Sequence, residues 1–328
     1  MQSKFVFKRQ LFVFVFVFSF VCSLYSENIT RDSASLNKDS IENLKNLKAS
    51  LKSGVRNVFE SMSKNSPKES FGTLPEGFKI IEGNGFRGIR VTQGLYEIRV
   101  HTWFGDTGLL EEYKATEDEG YKIIAAINGT FYSERGALGQ IISDGEIPKI
   151  KMIPGRLSRC FLATFRDSKD VQFWYLGETA LHSEEIIRSH ANEMIWFNGS
   201  ADKTVVPDNL IGGGGWILKK RKDVHGEAED RQFFRFRRED LTSRKTVIAQ
   251  DTSRNLFFLV FEAGFTMHQV AREFVKNDIF REVQDAIFLD GGSSSCMVLK
   301  GKYLVAPLYM VDKSRFSCIQ ILKTQLLR

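Results

Sequence analysis

From about residue 74 onward, short apolar runs alternate with glycine-bounded turns, and the sharpest is Ala286-Ile287-Phe288-Leu289-Asp290-Gly291-Gly292-Ser293-Ser294-Ser295. Four apolar residues end in one carboxylate. Two glycines and three serines follow, and then a second apolar run, Cys296 to Leu299. A carboxylate at the end of a buried strand, beside backbone that a ligand can approach closely, is one way an enzyme presents a charge. A hairpin turn capped by Asp290 fits the same residues. Far upstream a second run ends alike: Ile123-Ile124-Ala125-Ala126-Ile127-Asn128-Gly129-Thr130-Phe131-Tyr132.

Other segments read as strands: Phe78 to Ile81, Ile89 to Val91, Tyr96 to Val100, Lys122 to Ile127, Cys160 to Phe165, Val171 to Leu176 and Trp216 to Lys219. Thr246 to Ala249, Leu256 to Glu262, Ala286 to Leu289, Met297 to Leu299 and Ser317 to Leu322 continue the series. Helices are expected at Thr107 to Gly120, Ile186 to Ile195 and Met267 to Val275; Val270, Ala271 and Phe274 give the last one apolar face. Strands with helices between some of them predict an α+β domain around one mixed or antiparallel sheet system, over residues 74–325. The hydrophobic fraction of 42% and the charged fraction of 26% fit a globular chain.

The N-terminus reads as an export signal. Lys4, Lys8 and Arg9 precede the apolar stretch from Leu11, and Val21-Cys22-Ser23 offers a cleavage site, giving a signal over 1–23. An uncleaved anchor from Phe5 to Leu24 and a lipid-anchored Cys22 are the alternatives, and both imply membrane attachment. Residues 24–73 form a polar linker, in which Ile41, Leu44, Leu47, Leu51, Val55 and Val58 recur at helical spacing and predict an amphipathic helix over roughly 39–60. Each reading places the domain outside the cytoplasm: periplasmic, envelope-associated or secreted.

Removing residues 1–23 takes away three positive charges and no negative ones, so the net charge falls from +6 to +3. That is too mild for a nucleic-acid partner. The cluster Lys219-Lys220-Arg221-Lys222 is followed by Asp223, Glu227, Glu229 and Asp230 and reads as a solvated loop. An oxidising compartment permits one disulfide among Cys160, Cys296 and Cys318. No Cys-x-x-Cys pair or Cys/His cluster suggests a metal site, so no cofactor is required, although a divalent ion is not excluded.

Asn128 can donate and accept at once, so it can orient a hydroxyl or a phosphoryl oxygen. Phe131 and Tyr132 can offer a stacking face to a sugar ring, and a turn Asn with two core aromatics is the plainer reading. Asp144-Gly145 reads as a hairpin turn. The run Gly212-Gly213-Gly214-Gly215 lacks the Lys-Ser/Thr of a phosphate loop and precedes a strand; close backbone approach to a ligand and simple loop flexibility both remain. His101 and His268 read as packing or surface residues, and no nucleophile elbow surrounds Ser293 to Ser295.

Five segments in order, Asn128 to Tyr132, Leu138 to Gly145, Ile211 to Leu218, Lys245 to Ala249 and Leu289 to Ser295, resemble the phosphodiester glycosidase family over roughly 78–322. The resemblance implies hydrolysis of a sugar from a sugar-1-phosphodiester, with a carbohydrate phosphodiester or envelope glycan as partner. It implies Asp290 as the carboxylate, Arg244 or Lys245 as the cation for phosphate, and Glu262 as a second carboxylate. Asn128 and Ser294 would orient substrate, with Gly129, Phe131, Tyr132, Gly139, Gly213, Gly214, Gly291, Gly292 and Ser293 beside it.

Lys245 stands where the family has Arg, and Arg244 is adjacent. Consecutive strand residues face opposite sides, so only one can enter the site, and Arg244 is expected to need a bulge or a one-residue shift. Ala263 replaces a family Asp, and Thr130 and Ser293 replace glycines. Two rival readings stay open: a non-catalytic envelope protein that binds glycan or anionic polymer, and a glycoside hydrolase acting on substrates without phosphate.

Overall fold

The computed structural model describes residues 70–133, 136–137, 141–146, 148–149, 160–165, 171–175, 207–226, 243–262, 264–308, 312 and 316–323. All lie in the second of two compact units, Ser70–Arg328. The expected signal segment, the linker helix, the helix at Ile186 to Ile195 and Gly139 fall outside the described residues.

In chain order the strands begin with β1 (Phe78–Gly83), β2 (Phe86–Val91), β3 (Tyr96–Thr102), β4 (Ile123–Asn128), β5 (Tyr132–Ser133) and β6 (Gly136–Ala137). Next come β7 (Ile141–Ile142), β8 (Cys160–Thr164), β9 (Val171–Tyr175), β10 (Asn209–Gly212), β11 (Trp216–Lys219) and β12 (Lys222–Asp223). The last are β13 (Lys245–Asp251), β14 (Leu256–Phe261), β15 (Val283–Phe288), β16 (Met297–Leu299), β17 (Lys302–Val305) and β18 (Ser317–Lys323). Two α-helices are described: α1 (Leu109–Asp118) and α2 (Met267–Lys276).

The α+β expectation holds, with the strands divided among four sheets. Seven strands run β1-β2-β14-β13-β15-β11-β12, five run β17-β16-β4-β18-β3, four run β7-β10-β8-β9, and β5 pairs with β6. Among the described residues every strand pairing is antiparallel. Antiparallel sheets need no crossover helices, which fits a chain with few of them.

Side-chain alternation builds the layers. In β13, Ile248 enters a central core with Ile89, Phe258 and Ile287, while Val247 and Ala249 face the other way, toward α2. In β4, Ile127 joins the central core together with Met297 and Ile319, and Ala126 faces α1. The central core also takes Leu162 and Ile211 from the four-stranded sheet. Thus the seven- and five-stranded sheets share an apolar core, and each has a helix on its far face.

Each helix reads from its sequence. In α2, Met267, Val270, Ala271 and Phe274 are buried at helical spacing. Thr266 closes its N-terminus with a capping box: Thr266 Oγ1 accepts from Gln269 N–H at 3.1 Å, and Gln269 Oε1 accepts from Thr266 N–H at 2.8 Å. In α1, Leu109 and Tyr113 are buried, and the Tyr113 hydroxyl donates to the Ile123 carbonyl at 2.9 Å.

Phe274 is fully buried against Phe261 and Phe280, with ring centroids 5.9 and 4.7 Å away. Phe274→Ala is expected to cost about 3–5 kcal/mol in urea unfolding. Its neighbour Val275 is 45% exposed. Val275→Ala should stay within about 0.5 kcal/mol.

Candidate active site

The candidate residues gather where β4 and β15 end and β13, β16 and β18 begin. Asn128, the last residue of β4, is 1% exposed. Its Nδ2 donates to the Asp290 carbonyl at 2.8 Å. Its Oδ1 accepts from Thr246 Oγ1 at 2.8 Å and from Cys296 N–H at 3.3 Å. A backbone acceptor at one end and a backbone donor at the other fix which atom is which. Asn128 therefore holds the protein's own backbone through both ends of its amide.

Backbone bonds extend the clasp. Asp290 N–H donates to the Gly129 carbonyl at 3.2 Å, Gly129 N–H to the Ser317 carbonyl at 3.0 Å, and Gly292 N–H to the Arg244 carbonyl at 2.9 Å. Asn128, Asp290 and Arg244, far apart in sequence, are thus joined through successive hydrogen bonds. The Asp290 side chain is half-buried, and its Oδ1 accepts from Gly291 N–H at 2.9 Å.

Arg244 and Lys245 face opposite ways. Thr246 points at Asn128 and at Ser295 Oγ, 3.0 Å away, and Arg244 lies two residues before it. Arg244 Nη1 donates to the carbonyls of Ala306 at 2.5 Å and Ser295 at 3.4 Å, and Nη2 lies 3.6 Å from Glu262 Oε2. Lys245 turns the opposite way, donating to Ser243 O at 2.9 Å, Ser243 Oγ at 2.7 Å and Phe265 O at 3.4 Å. No bulge is needed, contrary to expectation: the register runs unbroken from Lys245↔Phe261 to Gln250↔Leu256. Simple alternation counted back from Thr246 puts Arg244 on the face that looks toward Asn128.

Burial pushes the Arg244 pKa down from its ordinary value, and the Glu262 carboxylate pushes it back up. A guanidinium stays charged throughout. Burial also pushes Lys245 down, to about 8.

Several of the candidate glycines pack closely on protein atoms. A methyl group on Gly129 would overlap Ser317 Oγ, and one on Gly214 would overlap the Phe288 ring. One on Gly213 would lie 2.6 Å from the Phe288 carbonyl oxygen, and one on Gly291 2.7 Å from that of Arg244. The glycine-rich run is buried, and its N–H groups bond to Cys160 O (Gly213, 2.7 Å) and Phe288 O (Gly214, 2.6 Å). Close packing against the Phe288 carbonyl and ring accounts for glycine at both positions. Gly292 differs: its φ of +67° favours glycine, and a methyl there would meet nothing within 4 Å.

Phe131 packs edge-on against Phe288, and Tyr132 against Phe316, with centroids 5.9 and 5.8 Å apart; both remain half-buried. Ser293 is half-buried, whereas Ser294 and Ser295 are buried. Thr130 is 2% exposed, and its hydroxyl has no hydrogen-bond partner. Asp144 and Gly145 form the tight turn expected of them, and Asp144 Oδ2 pairs with Arg99 Nη2 at 2.7 Å. Cys160, Cys296 and Cys318 are free and buried, so the permitted disulfide is not formed. Among the described residues, the group that could hold a metal ion is Asp223, His225 and His268, on the α2 side of the seven-stranded sheet. Only the Asp-x-His spacing hinted at it.

With this geometry in view, the comparisons decide the family. Residues 121–315 match the sequence profile of the phosphodiester glycosidases. The chain belongs to the phosphodiester glycosidase family. It is similar in fold to the catalytic domain of zebrafish N-acetylglucosamine-1-phosphodiester alpha-N-acetylglucosaminidase, auto-inhibited by its pro-peptide. That match has a TM-score of 0.55 and 20% identity, and covers 79% of this chain and 87% of that one. A Synechocystis protein matches at a TM-score of 0.43 and 12% identity, over 75% of this chain and 61% of that one. No curated protein sequence matches this one.

Two predictions follow from the clasp and its neighbour. In N128D, one carboxylate oxygen would face the Asp290 carbonyl and could donate only when protonated. The folded-state pKa is then raised above the unfolded value of about 3.9, so stability falls as pH rises from about 4 to 7. At pH 7 the loss should exceed about 3 kcal/mol, read by denaturant titration at both pH values. For Lys245 the folded pKa lies below the unfolded 10.5, so the folded state binds fewer protons between about 8 and 10.5. Wild type should therefore gain stability relative to K245M as pH rises through that window. A flat difference would show that burial does not perturb Lys245.

Proposed function

We propose that this protein hydrolyses a sugar from a sugar-1-phosphodiester outside the cytoplasm. The observation that carries the reading is the hydrogen-bonded convergence of Asn128, Asp290 and Arg244 within the family-matching domain. A phosphate on the anomeric carbon is already a good leaving group. Such a site needs less general-acid help than an ordinary glycosidase needs. What it requires is a cation for the phosphate and a carboxylate for the sugar.

Asp290 supplies the carboxylate, activating water or stabilising the positive charge that develops on the ring. Its backbone is held from both sides, which keeps the side chain in place before substrate arrives. Arg244 supplies the cation through Nη2, the edge that faces Glu262. The Glu262 side chain is 41% exposed, so an incoming phosphate competes with it for that edge. In this reading Asn128 positions Asp290 through its carbonyl and does not touch the sugar. Phe131 and Tyr132 offer the exposed parts of their rings for stacking. Export rests on the charged, then apolar, N-terminal segment over 1–23.

A second reading, a non-catalytic binder of glycan or anionic polymer, is favoured by one observation: Arg244 Nη1 is already committed to two carbonyls. One assay separates the two. Purified protein is mixed with a UDP-sugar or an aryl sugar-1-phosphodiester, and free sugar is measured. Release that falls by about 10²–10⁴-fold in Asp290→Asn, at unchanged melting temperature, is the expected result. Full activity in that variant removes Asp290 from the mechanism, and binding without release in wild type favours the second reading.

A further inference from the structure

On the far side of the seven-stranded sheet, Asp223 ends β12, His225 lies two residues on, and His268 sits in the first turn of α2. One ligand atom from each lies within 4.8 Å of the other two. His225 Nδ1 is 2.5 Å from Asp223 Oδ1, and the His225 ring lies 5.2 Å from the His268 ring. Asp223 and His268 are exposed and His225 is half-buried, so apolar packing does not explain their meeting. We propose that Asp223, His225 and His268 bind a borderline divalent transition-metal ion of the Zn²⁺ class.

The donor set selects the metal. Two imidazoles and a carboxylate suit Zn²⁺, Cu²⁺ or Ni²⁺, whereas Mg²⁺ and Ca²⁺ take oxygen ligands. Three protein donors leave a position for water. The segments that carry the donors are held in place, and the Asp223–His225 hydrogen bond opens when an ion takes both ligand atoms. Val224 N–H donates to the Ile217 carbonyl at 3.1 Å, and His225 N–H to Asp223 Oδ1 at 3.2 Å, which fixes the turn. The Thr266–Gln269 capping box fixes the helical turn that carries His268.

Nearby positive charge opposes any cation, and part of it is turned elsewhere. Arg221 Nη1 donates to the carbonyls of Phe280, Arg281 and Val283. Lys219 Nζ lies over the Trp216 ring at 5.4 Å. Lys220, Lys222 and the positive end of α2 remain, at an exposed site where salt screens them. A bound ion would fasten the edge strand β12 to α2, independently of the chemistry at Asp290.

The test uses the untagged full chain, stripped with EDTA and titrated with Zn²⁺ by calorimetry, and with Co²⁺ to read the ligand field by absorbance. The buried thiols of Cys160, Cys296 and Cys318 do not compete while the chain is folded. One Zn²⁺ per chain at micromolar affinity is expected, with a melting temperature raised by about 5 °C or more at a hundredfold excess over Kd. His225→Ala and His268→Ala should each weaken binding at least about 10-fold while melting like wild type in EDTA. Absence of Zn²⁺ binding to wild type, or binding unchanged in His268→Ala, overturns the proposal.

Discussion

The buried amide of Asn128 is the joint on which the arrangement depends. It reaches three chain segments at once: the end of β15 through Asp290 O, β13 through Thr246 Oγ1, and the start of β16 through Cys296 N–H. Two of those segments belong to one large sheet or its edge, and the third to the other. At 1% exposure no water can replace a lost partner, so each orphaned group costs about 1–3 kcal/mol. At neutral pH an amide donates and accepts here where a carboxylate of the same shape could only accept. A Thr246–Ser295 bond continues the network, and bonds in such a chain strengthen one another.

The glycines make that joint possible. Gly129 lets β4 lie against Ser317, and Gly291 lets the Asp290 loop lie against the Arg244 carbonyl. Gly213 and Gly214 let the strand connection pass under Phe288, whose other neighbour, Phe131, belongs to the β4 motif. Sequence reading takes a glycine-rich stretch beside a carboxylate as room for a ligand. Here most of that room is filled by protein, which draws the ends of the two sheets together. Gly292 is the exception, with open space beside its Cα, next to the carboxylate.

Legibility follows from how local the determining physics is. Most strands and both described helices were readable because their apolar periodicity is local; α2 even shows its capping box as Thr266 and Gln269. Strands β10 and β17 were missed because Asn209-Leu-Ile-Gly and Lys302-Tyr-Leu-Val are short, and their burial comes from neighbouring sheets. The ordered motifs of the site were legible, and their convergence was not. The choice between Arg244 and Lys245 stayed open because the motif was aligned by residue type, although alternation from Thr246 already puts the two on opposite faces. The Asp223–His225–His268 group leaves almost no trace, since its parts meet only once α2 folds onto β11 and β12.

Arg244 and Asp290 differ in what their side chains do for the fold, and that difference determines which can report on function. The Arg244 guanidinium carries structure: it ties Ala306 and Ser295, and its Nε is buried without a partner. Replacing it removes a buried cation and leaves two carbonyls short of a donor, so lost activity and lost packing arrive together. The cross-sheet bonds at Asp290 run instead through its backbone N–H and carbonyl, and its carboxylate bonds the next residue's N–H. Exchanging the carboxylate for an amide of equal size preserves the backbone clasp and removes the negative charge. A chain that kept this arrangement only to bind would tolerate the exchange at any point where the charge does not meet ligand. A chain that uses it to support a developing positive ring would not, because no other carboxylate among the described residues is held by the Asn128 clasp.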